Sequence, residues 1–188
     1  MVVYLNDGLG VGRGDQRACV GSSLVQDTLK RARFMPHPEK SIWKPVQHLK
    51  WPGFVIDTAL GQIEVPKPKL DALRSMIERV KASPVIMARH LASILGKIIS
   101  MSIAFGLVSR FMTRSLYAVL ESRQSWWDPL QLSIEAQAEL MFWSYNLEKY
   151  NAQPIWHSPS AVRVVSSDAS DTGYGGYVVE HGGCISYR

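Results

Sequence analysis

The chain has 188 residues, 46% of them hydrophobic and 20% charged, with a formal net charge of +5. That length is enough to bury a core and to hold one or two small domains, and the composition excludes disordered, collagenous and disulfide-scaffold classes. The basic excess favours a polyanionic partner, although many basic proteins bind no nucleic acid.

Residues 1–5 are a short β-branched run, and Asn6-Asp7-Gly8 tolerates positive φ, so the pattern predicts a hairpin turning at 6–8 and returning over 9–11. Asp15 is placed to cap a helix reaching about Phe34, with Ala18, Leu24, Val25 and Leu29 as its apolar stripe; Met35-Pro36-His37-Pro38 ends it. Cys19 and Cys184 form no Cys-x-x-Cys pair. With no secretory leader they read as reduced thiols of an intracellular protein, cytoplasmic or nuclear. A second β section spans 41–65, its strands at 54–57 and 62–65 flanking a turn at 58–61. Pro66 and Pro68 then introduce a helix over 69–81.

From Pro84 the pattern is helical, with Leu91, Ile94, Ile98, Met101, Phe105, Val108, Met112 and Leu116 at spacings of three and four. Gly96 and Gly106 allow close packing or a bend. Residues 98–109 are the most apolar stretch, too short for the roughly 20 residues of a membrane span, and read as a buried helix. Trp126-Trp127-Asp128-Pro129 breaks the run, and Ser133 starts a helix carrying Ala136, Leu140, Trp143 and Leu147. Residues 151–160 read as a linker. Strands follow at 162–167 and 174–180, with a third from about Cys184. The histidines show no metal-ligand spacing. The whole is an α+β chain: sheet fragment, helical middle, sheet fragment.

Val3-Tyr4-Leu5-Asn6-Asp7-Gly8 resembles the Tyr-x-Asp-Asp hairpin of reverse transcriptases. Val164-Val165-Ser166-Ser167-Asp168-Ala169-Ser170, running into Gly173-Tyr174-Gly175-Gly176-Tyr177, resembles the opening strand of a type 1 ribonuclease H domain. Between them, the segment from Lys40-Ser41 through Trp51-Pro52-Gly53-Phe54 to Asp57 is similar to the part of retrotransposon reverse transcriptases that leads to the primer-gripping hairpin. Residues 88–117 resemble thumb and connection helices. Residues 126–143 look most like DIRS-type elements, within a DIRS-like or gypsy-like retrotransposon resemblance. By that resemblance, residues 1–65 are the C-terminal part of a palm with its primer-grip-like hairpin. Residues 66–151 are a helical thumb and connection, and 152–188 are the truncated start of a ribonuclease H-like domain.

The resemblance implies RNA-directed DNA synthesis and ribonuclease H cleavage, each using Mg²⁺ held by carboxylates. It assigns Asp7 and Asp168 as catalytic, metal-binding positions, with Tyr4 as a substrate-binding position beside the first and a Gly-rich turn after the second. Lys40 falls near the incoming dNTP, and Trp51, Gly53 and Phe54 fall on the primer grip. Arg89, Lys97, Arg110 and Arg114 fall on phosphates of an RNA/DNA primer–template or hybrid. Asn6 is a degenerate catalytic position: its amide offers one neutral oxygen where the family has a carboxylate, which weakens Mg²⁺ binding. Pro52 replaces a leucine and is poorly tolerated inside a strand, so with Asn6 it suggests a copy drifting free of selection for polymerase activity.

The expectation is therefore a fragment of a retrotransposon polyprotein, inactive alone, whose partners are nucleic acid and the missing palm and ribonuclease H segments, with no membrane. The alternative is a non-catalytic hybrid-binding protein derived from a retroelement. A third possibility is a chain with no stable fold, its strand edges exposed. At residue level, Lys40 and the four basic helix residues also fit plain solvated positions, Trp51 and Phe54 fit core aromatics, and Asp168 fits a surface strand end.

Overall fold

The computed structural model describes residues 2–4, 7–155, 164–170, 172–180 and 183–187, and the chain divides into two units, Met1–Ile155 and Trp156–Arg188. The architecture is α+β with small antiparallel sheets. Val2–Tyr4 (β1) pairs with Asp7–Leu9 (β2), with Tyr4 opposite Asp7. Asp7 and Gly8, expected in the turn, therefore lie on the returning strand, and Asn6 lies outside the described residues.

Asp15–Arg31 (α1) starts after Gly14, whose φ is 80°, so Asp15 is the first helical residue and not the cap. An acid there still complements the helix dipole. The helix ends at Arg31, short of Phe34, in a Schellman arrangement: Phe34 N–H donates to Leu29 O at 2.9 Å and Arg33 N–H to Lys30 O at 3.0 Å. Arg33 takes the left-handed position, φ 62°, usually filled by glycine. The expected apolar stripe is not buried. No α1 residue is buried: Gly21 and Ser22 interrupt the apolar face shared by Ala18, Val25 and Leu29, and Leu24, about 120° away from that face, is 66% exposed. Ser22 Oγ donates to Trp43 O.

His48–Lys50 (β3), Val55–Asp57 (β4) and Gln62–Glu64 (β5) form an antiparallel sheet. The turn at 58–61 stands where the sequence puts it. Asp57 Oδ1 stabilises it by accepting from Leu60 N–H at 2.8 Å and Ala59 N–H at 2.9 Å. Pro52 is not inside a strand. Register pairs Lys50 with Val55, and Trp51 N–H donates to Phe54 O at 2.9 Å, leaving Pro52-Gly53 as the hairpin's central pair. Gly53 has φ 85°. Proline followed by a positive-φ glycine is what a type II turn selects.

Lys67–Val80 (α2) begins after Pro66, with Pro68 in its first turn, and buries Leu70, Leu73 and Ile77. Where continuous helix was expected from Pro84, Val85–Met87 (β6) is a strand, and the helical stretch then breaks into Ala88–Ser100 (α3), Ser102–Phe105 (α4), Val108–Phe111 (α5) and Arg114–Glu121 (α6). Gly106, at φ 66°, makes the break after α4. Residues 98–109 are accordingly not one buried helix, and Ile103 and Leu107 are 59% and 70% exposed. Gly96 is exposed and meets nothing within 4 Å, so it serves no close packing.

Pro129–Gln131 (β7) pairs with β6, and Ile134–Asn146 (α7) follows, capped by Ser133 Oγ, which accepts from Ala136 N–H at 3.1 Å. α2, α3, α6 and α7 enclose the core. Leu91, Ile94, Ile98, Leu116, Leu140 and Trp143 are at most 1% exposed, each such aliphatic side chain worth about 1.5–3 kcal/mol of burial. Trp143 packs on Phe105 at 5.1 Å and Phe142 at 5.3 Å, and its Nε1–H donates to Met112 O at 2.7 Å.

Residues 151–155 are not linker. Gln153–Pro154 (β8) adds to β5, Ile155 N–H donates to Gly61 O at 2.8 Å, and Asn151 pairs its amide with Val65 N–H (2.7 Å) and O (3.0 Å). Residues 156–160 of the expected linker lie outside the described residues. In the second unit, Val164–Ser170 (β9), Gly173–Glu180 (β10) and Gly183–Tyr187 (β11) form an antiparallel meander, with Asp168 opposite Gly175. Gly173, Gly175 and Gly176 are on β10 itself, not in the turn. The third strand expected near Cys184 is present.

Candidate nucleic-acid surface

The β1–β2 hairpin brings the backbone of Tyr4 opposite Asp7 and leaves the Asp7 side chain exposed. Asp168 is exposed on β9, in the other unit. Among the described residues no three His, Cys, Asp or Glu side chains gather as metal ligands. One carboxylate does not fit the two-ion Mg²⁺ chemistry that the sequence resemblance implies.

Lys40 is exposed in the turn after Pro38. Trp51, Gly53 and Phe54 are brought together by the β3–β4 turn. Phe54 packs against the core, so it is a core aromatic as well as a turn residue. The Lys69 ammonium sits 5.8 Å from the Phe54 ring centroid and fills the space a Cβ on Gly53 would need. Trp51 Nε1 is buried without a hydrogen-bond partner among the described residues.

Arg89 and Lys97 are both on α3, Arg89 exposed and Lys97 half-buried. Arg110 on α5 and Arg114 at the start of α6 are exposed. The start of α6 is itself held by a buried carboxylate. Glu139, 7% exposed on α7, accepts from Ser115 N–H at 2.9 Å and Leu116 N–H at 3.0 Å. That contact fixes the start of the helix carrying Arg114.

The sequence marks Trp126-Trp127 as a helix break and as the start of the DIRS-like stretch, with no binding role for either ring or for Arg123. The structure stacks the Arg89 guanidinium 5.2 Å from the Trp127 ring centroid and that of Arg123 4.1 Å from Trp126. The loop between α6 and β7 is tied to the first turn of α3, Ala88 N–H donating to Asp128 O (2.9 Å) and Arg89 N–H to Trp126 O (3.1 Å). The readable signal was two adjacent tryptophans in a polar segment preceded by arginine. The partnership with Arg89 was not readable, since it joins residues far apart in sequence.

No protein-family model matches the chain, and no curated protein matches it. Among the described residues no helix is long and apolar enough to cross a membrane.

Proposed function

We propose that this chain is a segment of a retrotransposon polyprotein related to RNA-directed DNA polymerase and ribonuclease H, and that on its own it binds RNA–DNA hybrid without copying it. The observation that carries the reading is the Tyr4–Asp7 register of the first hairpin, which holds an exposed carboxylate at the strand start directly across from the motif tyrosine. The turn at Trp51–Phe54 and the position of Asp168 on the opening strand of a separate meander support it. Asn6 at the first aspartate position removes a charge that Mg²⁺ binding needs, which leaves binding as the activity of this chain. Arg110 and Arg114 supply exposed cations for phosphates.

The test is primer extension beside hybrid binding across a salt series. No Mg²⁺-dependent extension is expected, and Arg110→Ala and Arg114→Ala should each lower the salt slope of hybrid binding by about 1. Extension that disappears in Asp7→Ala would overturn the inactive reading. A slope unchanged in both arginine variants would overturn the surface.

A further inference from the structure

Two indoles on one short loop are held out of the core. Trp126 is 50% exposed and Trp127 66%. They are not loose: Asp128 Oδ2 accepts from Gln124 N–H at 2.7 Å and Ser125 N–H at 2.6 Å, and the backbone bonds to Ala88 and Arg89 fasten the loop from the other side. Pre-organisation of this kind lowers the entropic cost of using the rings to bind. Each ring also carries a guanidinium, Arg123 on Trp126 and Arg89 on Trp127. The Asp128 carboxylate, the acid within the loop, is engaged by the loop's own N–H groups.

We propose that Trp126 and Trp127, with Arg123 and Arg89, form a stacking platform for unpaired bases of a single-stranded nucleic acid. An exposed aromatic face offers a base its π-surface regardless of sequence, and an adjacent guanidinium reaches the phosphate joining stacked nucleotides. A duplex hides its base faces, so the platform selects single strand, whereas Arg110 and Arg114 address backbone phosphates in either form. The chain's net charge of +5 complements such a ligand. The proposal rests on the nucleic-acid reading above but on different residues, so the two fail separately.

The experiment titrates the full chain with an oligodeoxythymidine, an RNA–DNA hybrid of equal length and a polyproline peptide. The Trp126→Ala/Trp127→Ala double variant is expected to bind the oligodeoxythymidine at least about tenfold more weakly, with hybrid affinity unchanged. Trp126→Phe/Trp127→Phe should recover most of the loss. Arg89→Gln and Arg123→Gln, which keep both rings, should each lower the single-strand salt slope by about 1; this arm carries the test if the alanine variant does not fold. Unchanged single-strand affinity and slope in these variants overturn the platform, as does an equal loss on hybrid and single strand. Saturable polyproline binding without oligodeoxythymidine binding also overturns it and assigns the rings to a protein partner. Tight single-strand binding with no hybrid binding leaves the platform standing and removes the hybrid reading.

Discussion

Pro52 shows how far one residue's meaning depends on its place in a turn. Read as a strand residue it costs a ladder hydrogen bond and looks like damage; between Trp51 and Phe54 it presets the φ that the turn needs, with Gly53 supplying the positive φ behind it. Pro52→Leu should lower stability by about 0.5–1 kcal/mol in urea unfolding, because it frees the unfolded chain without adding a native contact. A stabilised variant would mean that the proline does not suit the turn.

Asp57 governs the next turn along. Its carboxyl is held below the ordinary 3.8, first by the Leu60 N–H, then by the His48 ring at 3.3 Å and the Ala59 N–H. A carboxyl depressed in the folded state adds stability that is complete above its unfolded value and lost as pH falls through the folded one. The difference in melting temperature between the parent and Asp57→Asn should therefore be full near neutrality and close as pH drops below ~4. A difference that stays constant to pH ~2 would mean that the turn does not depend on the charge.

At the scale of elements, α6 is set by a partner helix as much as by its own residues. Thr113 precedes it without a side-chain cap bond, and Glu139 from α7 supplies the missing acceptor. Buried carboxylates bonded to helix N–H groups satisfy donors that would otherwise be orphaned. Glu139→Gln should cost about 1–3 kcal/mol, since one oxygen becomes a donor facing an N–H group. The check is a lower urea midpoint with unchanged m-value. A loss confined to α6 amide protection, with the global midpoint intact, would mean the cap is only local.

The helices between Pro84 and Glu121 belong to the same scale. Their apolar spacing is visible in the sequence, but the pauses at Met101, Gly106 and Met112 turn one expected rod into four pieces, from which Phe105 and the Met112 carbonyl meet Trp143. α1 is the reverse case. It is a helix whose ending follows from local chain geometry and whose apolar stripe is at most half-buried.

Over the whole molecule, residues 66–151 and the first β section share one unit that extends to Ile155, because β8 and Asn151 close the sheet begun near His48. A chain ending at Ile155 should therefore keep the cooperative thermal transition of the helical core, and a chain ending at Asn151 should melt lower. Equal melting of the two would show that β8 adds nothing to the fold.

The sequence by itself determined what depends on neighbours along the chain. The spacing of Leu91, Ile94 and Ile98, the Ser133 cap, the turn at 58–61 and the proline start of α2 all follow from periodicity and from residues with restricted φ. Only the tertiary structure decided which apolar stripe found a surface to cover, that Glu139 would cap another helix, and that residues 151–155 would join the sheet. It also decided that Arg89 would stack on a ring nearly forty positions away. Those outcomes rest on contacts between distant residues, whose free energy appears only when the elements dock.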